Sequence, residues 1–217
     1  MAKASRKNRI TPEEARRALY IDFEGRKDQA PVLLGCAHRA GRSATPWVWQ
    51  AVTDPLFEPL TTADDDIELL PLPDAVERIL QRAEAKDRLI VAWTEHELKG
   101  VRTHCPQHLA RFEARFVNAR AVAEYWRNAC HDRQKPPTNE LADYLALIKY
   151  EVSVGAGPGR ARETIGIVAK ALEKGLGLKG LTENQLRRWR DLRTHNLHDC
   201  HGTKKVCVLA ADEVAAR

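Results

Sequence analysis

An apolar run in the N-terminal part of the chain ends in two acids, Ala18-Leu19-Tyr20-Ile21-Asp22-Phe23-Glu24-Gly25. Leu, Tyr, Ile and Phe favour extended backbone and Gly25 interrupts it, so the spacing predicts a short buried strand over 18–24. Side chains alternate along a strand, which puts Asp22 and Glu24 on the same side. Two carboxylates held close repel each other and lose hydration. A hard divalent cation such as Mg²⁺ or Mn²⁺ relieves both costs, because it takes oxygen ligands. The pair therefore reads as half of a metal site, although an acid pair also suits a polar sheet edge or the start of a turn.

Two later segments carry matching chemistry. Trp93-Thr94-Glu95-His96-Glu97 follows the apolar run Leu89-Ile90-Val91-Ala92. Glu97 falls in the first turn of a helix after a buried strand, at the carboxyl end where open α/β sheets build their sites. Glu95 is accounted for by the start of the helix, where an acid suits the dipole. Further on, Arg193-Thr194-His195-Asn196-Leu197-His198-Asp199-Cys200-His201-Gly202 spaces His195 and Asp199 four apart, on one helical face. That pair offers one oxygen for a metal and one imidazole for a proton. His198 and His201 are near enough in sequence to substitute for His195.

The elements that must position these groups follow from pattern. Thr11-Pro12-Glu13-Glu14 opens a short helix to about Arg17. Strands are expected over 18–24, 31–37 and 47–52, and their short connections favour an antiparallel meander. Residues 53–73 read as a long loop carrying Asp64-Asp65-Asp66. A helix is expected over 74–85, with Ala75, Val76, Ile79, Leu80 and Ala83 on one face. A buried strand follows over 89–93, parallel to the first. Short helices are expected over 94–101 and 107–115, a last short strand over 116–118, and helices over 121–130, 139–150, 162–176 and 182–211. The last of these is expected to break near Arg193. Gly155-Ala156-Gly157-Pro158-Gly159-Arg160 reads as a hinge or substrate-side loop. The expected fold is an α/β mixed sheet, three antiparallel strands plus parallel ones, flanked by helices.

Composition sets the frame. The 217 residues are 43% apolar and carry a net charge of +5, which mildly favours an anionic partner such as nucleic acid. No stretch has the length and apolarity of a membrane span. Residues 1–10 read as a disordered basic tail before one domain over 11–217. The five cysteines are irregularly spaced with no secretory leader before them, so free thiols in a reducing cytoplasm are expected. A zinc module is the alternative use of the His and Cys residues. Its best set is His104, Cys105 and His108 with Cys130 and His131, and the Cys200–Cys207 region is another, but neither has a paired Cys-x-x-Cys knuckle.

Asp22-x-Glu24 on the first strand, Glu97 after the buried strand and His195-x-x-x-Asp199 on a late helix together resemble the DEDD exonuclease superfamily, which has a ribonuclease H-like fold. The wording looks closest to the bacterial RNase H-like branch whose second motif ends in Glu. There an aromatic, a small polar residue and two spacers precede that Glu, as in Trp93-Thr94-Glu95-His96-Glu97. The last motif of the branch is Tyr-Asn-x-x-Asp, which His195-Asn196-Leu197-His198-Asp199 matches with His for Tyr. The resemblance covers about residues 19–208. It departs from the family in two places. The additional Asp of many members has only Asp143, by composition, as a counterpart, and the His spacing is that of the Tyr-type branch.

The resemblance implies a metal-dependent nuclease acting on DNA or RNA, a 3′–5′ exonuclease in kind. Asp22, Glu24, Glu97 and Asp199 would hold two Mg²⁺ or Mn²⁺ ions. His195 would accept the proton of the attacking water, and Arg26, Lys27, Lys99 and Arg193 would hold the phosphate backbone. Trp93 would stack a base unless it belongs to the core. An inactive relative that only binds nucleic acid or protein, or one piece of a larger complex, would carry the same pattern.

Overall fold

The computed structural model describes residues 9–26, 28–38, 47–62, 66–131, 138–150 and 160–217. Among these, six strands form one mixed sheet. They are β1 (Leu19–Gly25), β2 (Pro31–His38), β3 (Trp47–Val52), β4 (Ile67–Leu69), β5 (Ile90–Ala92) and β6 (Phe116–Asn118), in the spatial order β4-β3-β2-β1-β5-β6. The expected meander is present: β1 pairs antiparallel with β2, and β2 antiparallel with β3. The outer strands are parallel, β4 to β3, β5 to β1 and β6 to β5.

Helices cover both faces. α1 (Pro12–Arg17) precedes β1, and its Thr11 and Glu14 form the reciprocal cap that the Thr-Pro-Glu-Glu sequence predicts. α2 (Leu72–Glu84), α3 (His96–His104) and α4 (Leu109–Glu113) lie on the face that takes Leu19, Ile21 and Phe23 of β1, together with Leu34 and Cys36 of β2. α5 (Ala119–Cys130), α6 (Leu141–Leu147) and α8 (Glu183–Ala215) pack on the other face around Tyr20, Ala37 and Val91. α7 (Arg160–Leu172) closes a third apolar cluster with Val32, Leu33, Val52, Phe57, Trp189 and Leu192. The alternation of β1 thus sends its odd residues to α2 and α3, and Tyr20, Asp22 and Glu24 toward α8.

Two expectations are corrected. Residues 53–73 are more than a loop: a 3₁₀ turn occupies Pro55–Leu60, and β4 extends the sheet beside β3. A three-residue strand is too short to show alternation, and its pairing partner is remote in sequence. The last helix is also unbroken, running 33 residues from Glu183 to Ala215. At the place of the expected break, Arg193 and nearby Asn196 are buried and bonded to the sheet. A buried stripe through Cys200, Thr203, Val206, Cys207 and Ala210 then carries the helix onward.

One close approach fixes α8 against the sheet. Asp22, Gly35 and Gln50 stand side by side across β1, β2 and β3. A Cβ placed on Gly35 would lie 2.0 Å from Asn196 Oδ1 and 2.8 Å from its Cγ, so only glycine lets the helix settle here. Gly35→Ala is expected to destabilise the protein by about 1–3 kcal/mol, as overpacking does. A urea unfolding midpoint equal to that of the parent protein would contradict this.

Candidate functional site

The acids of the sequence motifs meet beneath α8. Asp22 and Glu24 leave β1 near its carboxyl end on the α8 face. Asp199 descends from α8, and Glu97 enters from the first turn of α3, just past the parallel strand β5. β5 pairs with β1 only at Leu19 and Tyr20, so the later backbone donors of β1 on that side have no strand beside them. The Glu97 carboxyl sits beside this end of β1, where the backbones of Phe23 and of Glu97 itself favour its charged form in part. Glu97 is only 4% exposed. Its Oε2 is buried without a hydrogen-bond partner, an uncommon and costly condition for a carboxylate.

Electrostatics records the crowding. Burial, then the neighbouring Asp199, raises Asp22 to about 7, against a partial offset from the Asn196 amide and His195. Burial, then Asp22, Asp199 and Glu97, raises Glu24 to about 9. Burial and Asp22 raise Glu97, and burial raises Asp199. His195 lies one turn from Asp199, with Nε2 3.6 Å from Asp199 Oδ2. Burial lowers its pKa, with Asp22 pulling the other way, so the imidazole is neutral at pH 7.

A polar network holds these groups in place. Asn196 Nδ2 donates to the Asp22 backbone carbonyl at 3.0 Å and to Asp22 Oδ2 at 2.7 Å. Gln50 Nε2 donates to Asn196 Oδ1 at 3.0 Å and to the Arg193 carbonyl at 2.9 Å. Arg193 Nε donates to Gln50 Oε1 at 3.1 Å, and Arg193 Nη2 to Asp66 Oδ1 at 2.7 Å. Sequence reasoning quoted Asn196 only as part of a motif and missed Gln50 and Gly35. Two signals were available: a glycine inside an apolar strand, and a lone amide between Trp49 and Ala51.

No protein-family model and no curated protein matches this chain.

The other expected site residues divide. Lys99 is exposed on α3, two residues past Glu97, and half-buried Arg26 follows directly on β1. Lys27 lies outside the described residues, as do Asp64, Asp65 and residues 155–159. Arg193 is buried and its guanidinium donates to Gln50 and to the exposed Asp66, which ties α8 to the sheet. Trp93 is 9% exposed and packs edge-on to Tyr144 at 5.3 Å, a core position. Asp143 accepts from the Thr138 N–H at 3.0 Å in the first turn of α6. The zinc sets are not assembled: Cys105 is in the α2–α3 core, while His108 pairs with Glu77 and His131 with Glu213.

Among the described residues, no three His, Cys, Asp or Glu side chains already converge on a point that a metal ion could take. The four carboxylates are near enough to act on one another's charge. The donor set nonetheless fits a hard cation: all oxygen, mutually repelling, and including one buried unbonded atom.

Raised carboxyl pKa values have a signed consequence. The folded state binds these protons more tightly than the unfolded chain. The associated stability is thus fully present below the ordinary carboxyl range, about 4, and is lost as pH rises to about 9. In a chelator the unfolding free energy is expected to fall from pH 5 to pH 9. At pH 8, Glu97→Gln is expected to raise the unfolding free energy, because it removes a buried charge that Asp22 repels, and Mg²⁺ to raise the midpoint of the parent protein. A flat pH profile in urea unfolding would contradict the electrostatic account.

Proposed function

We propose that the chain is a metal-dependent nuclease with a ribonuclease H-like fold that hydrolyses phosphodiester bonds of DNA or RNA, as a 3′–5′ exonuclease. One observation carries the reading. Asp22, Glu24, Glu97 and Asp199 come from three separate elements and sense one another's charge at the carboxyl ends of β1 and β5. Gathering four acids, one buried and three partly buried, costs stability and contributes nothing to the core, which is what a site kept for chemistry does.

Asp22, Glu24, Glu97 and Asp199 would hold Mg²⁺ or Mn²⁺, and two such ions supply an activated water and charge stabilisation at the leaving oxygen. The residues of the chain do the rest. His195, held neutral by its burial, takes the water proton on its imidazole nitrogen. Asn196 fixes the Asp22 carboxylate by its 2.7 Å bond and so sets the rotamer of one ligand. Arg26 and Lys99 flank the acids and suit the phosphate flanking the bond to be cut, with Lys27 beside them in sequence.

The test is hydrolysis of end-labelled single-stranded and duplex DNA and RNA with Mg²⁺, Mn²⁺ or EDTA. Cleavage is expected only with metal, and Asp22→Asn is expected to reduce it by at least about a hundredfold. His195→Ala is expected to cost about 10²–10⁴-fold, the usual worth of a general base. Absence of cleavage on every substrate, or cleavage indifferent to Asp22→Asn, would leave a binding module in place of an enzyme.

A further inference from the structure

A second feature lies on α8, on the N-terminal side of His195. Between α7 and α8 is a cavity of about 390 Å³, lined by Arg160, Glu163 and Thr164 of α7 and by Arg187, Arg188 and Asp191 of α8. The volume is in the range of small-ligand sites, about 300–1,000 Å³. Its charge is dominated by three guanidinium groups, forks whose geometry matches phosphate.

Their ion pairs are long, although Arg187 Nη2 also donates to Asn184 Oδ1 at 2.8 Å. Arg188 Nη1 stands 3.5 Å from Glu163 Oε1, and Arg187 Nη1 stands 3.6 Å from Asp191 Oδ2. The Arg187 and Glu163 side chains remain 65% and 63% exposed, so such pairs exchange for another anion at little cost. Arg160 is exposed and makes no ion pair with a described residue. The placement is as telling as the chemistry. At 3.6 residues per turn, Arg188, Leu192, His195 and Asp199 fall on one face of α8, and Arg188 precedes His195 by about 10 Å along the axis. Leu192 is itself buried in the apolar cluster with α7, so the arginines and the carboxylates bracket a packed turn of α8, and a strand held at the cavity would span about 10 Å to reach them.

We propose that the α7–α8 cleft grips the phosphate backbone of a single nucleic-acid strand, several nucleotides from the bond at Asp22 and Asp199. This rests on the nuclease reading for its direction, since the carboxylates mark where the strand is cut. The strand replaces the loose Arg188–Glu163 and Arg187–Asp191 pairs with phosphate contacts. Glu163 and Asp191 set a limit on affinity, which keeps the grip weak enough for a strand to move through.

The experiment is fluorescence anisotropy of the full chain with labelled oligothymidylate and oligouridylate in EDTA, over a NaCl series, with hydrolysis assayed separately in Mg²⁺. Arg160→Ala combined with Arg187→Ala, both at exposed positions, is expected to weaken binding about tenfold. The combination should also lower the salt slope by about 1.4, two contacts at about 0.7 each for single strands. Asp191→Asn is expected to tighten binding several-fold, an outcome that misfolding cannot imitate. Parent protein that binds no oligonucleotide, or affinity and slope unmoved by these changes, overturns the cleft. Displacement of the strand by inorganic phosphate at low millimolar concentration overturns it in favour of a small-anion site. The two readings fail separately. Metal-dependent hydrolysis with an indifferent cleft would reject the cleft alone, and arginine-dependent binding without hydrolysis would reject the nuclease alone.

Discussion

The contact of Asn196 with the sheet is the constraint on which the rest depends. A helix packed on a β-sheet usually rests on apolar side chains and can slide or roll by small amounts. Here an amide is driven into the row Asp22–Gly35–Gln50, fully buried and bonded on both of its ends. Any roll of α8 would strand buried donors and acceptors, each at a cost of about 1–3 kcal/mol. The missing side chain of Gly35 makes room, Gln50 and Arg193 complete the circuit, and Asp66 anchors it at the far end. The helix is keyed to the sheet in both rotation and height, and His195 and Asp199 inherit that setting.

The site is built where the sheet runs out of its own partners. β5 pairs with β1 only at Leu19 and Tyr20, and Glu97 comes in from α3 close to the following residues of β1. Four acids then occupy a volume in which burial and mutual repulsion both oppose their charge. Three apolar clusters surround this region and supply the stability that it lacks. The division of labour is visible along β1 itself, where odd residues fill the core with α2 and α3 while Asp22 and Glu24 face α8.

Local patterns revealed much of this arrangement. Period-two alternation placed Asp22 and Glu24 on one face, four-residue spacing paired His195 with Asp199, and a helix start after an apolar run located Glu97. The mixed α/β sheet and its antiparallel meander followed from connection lengths. What escaped was set by contacts remote in sequence. β4 exists because β3 offers it an edge. Arg193 looked like a surface cation because composition cannot tell that Gln50 and Asp66 lie within its reach. The break expected near Arg193 is absent for a related reason, since the burial of Arg193 and Asn196 is affordable only once the sheet is present to bond them. Gly35 and Gln50 have no chemistry of their own and acquire a role only from the helix that lands between them.

The unbroken α8 has a bearing on how this chain can change its length. Its 33 residues carry two of the three arginines of the α7–α8 cleft, Arg187 and Arg188, the key residue Asn196, the acid Asp199 and then the core stripe to Ala210. Each residue advances the helix by about 100°. A single insertion or deletion between Arg188 and Asn196 would turn one half of the helix against the other and point the arginines away from the cavity. One placed between Asn196 and Val206 would instead swing the core stripe into solvent. Only additions close to whole turns preserve both halves, and those shift the cleft along the axis relative to the acids. Descendants of this sequence are thus free to gain and lose residues in the connections around the sheet, while the segment from Arg188 to Ala210 is locked to its present count.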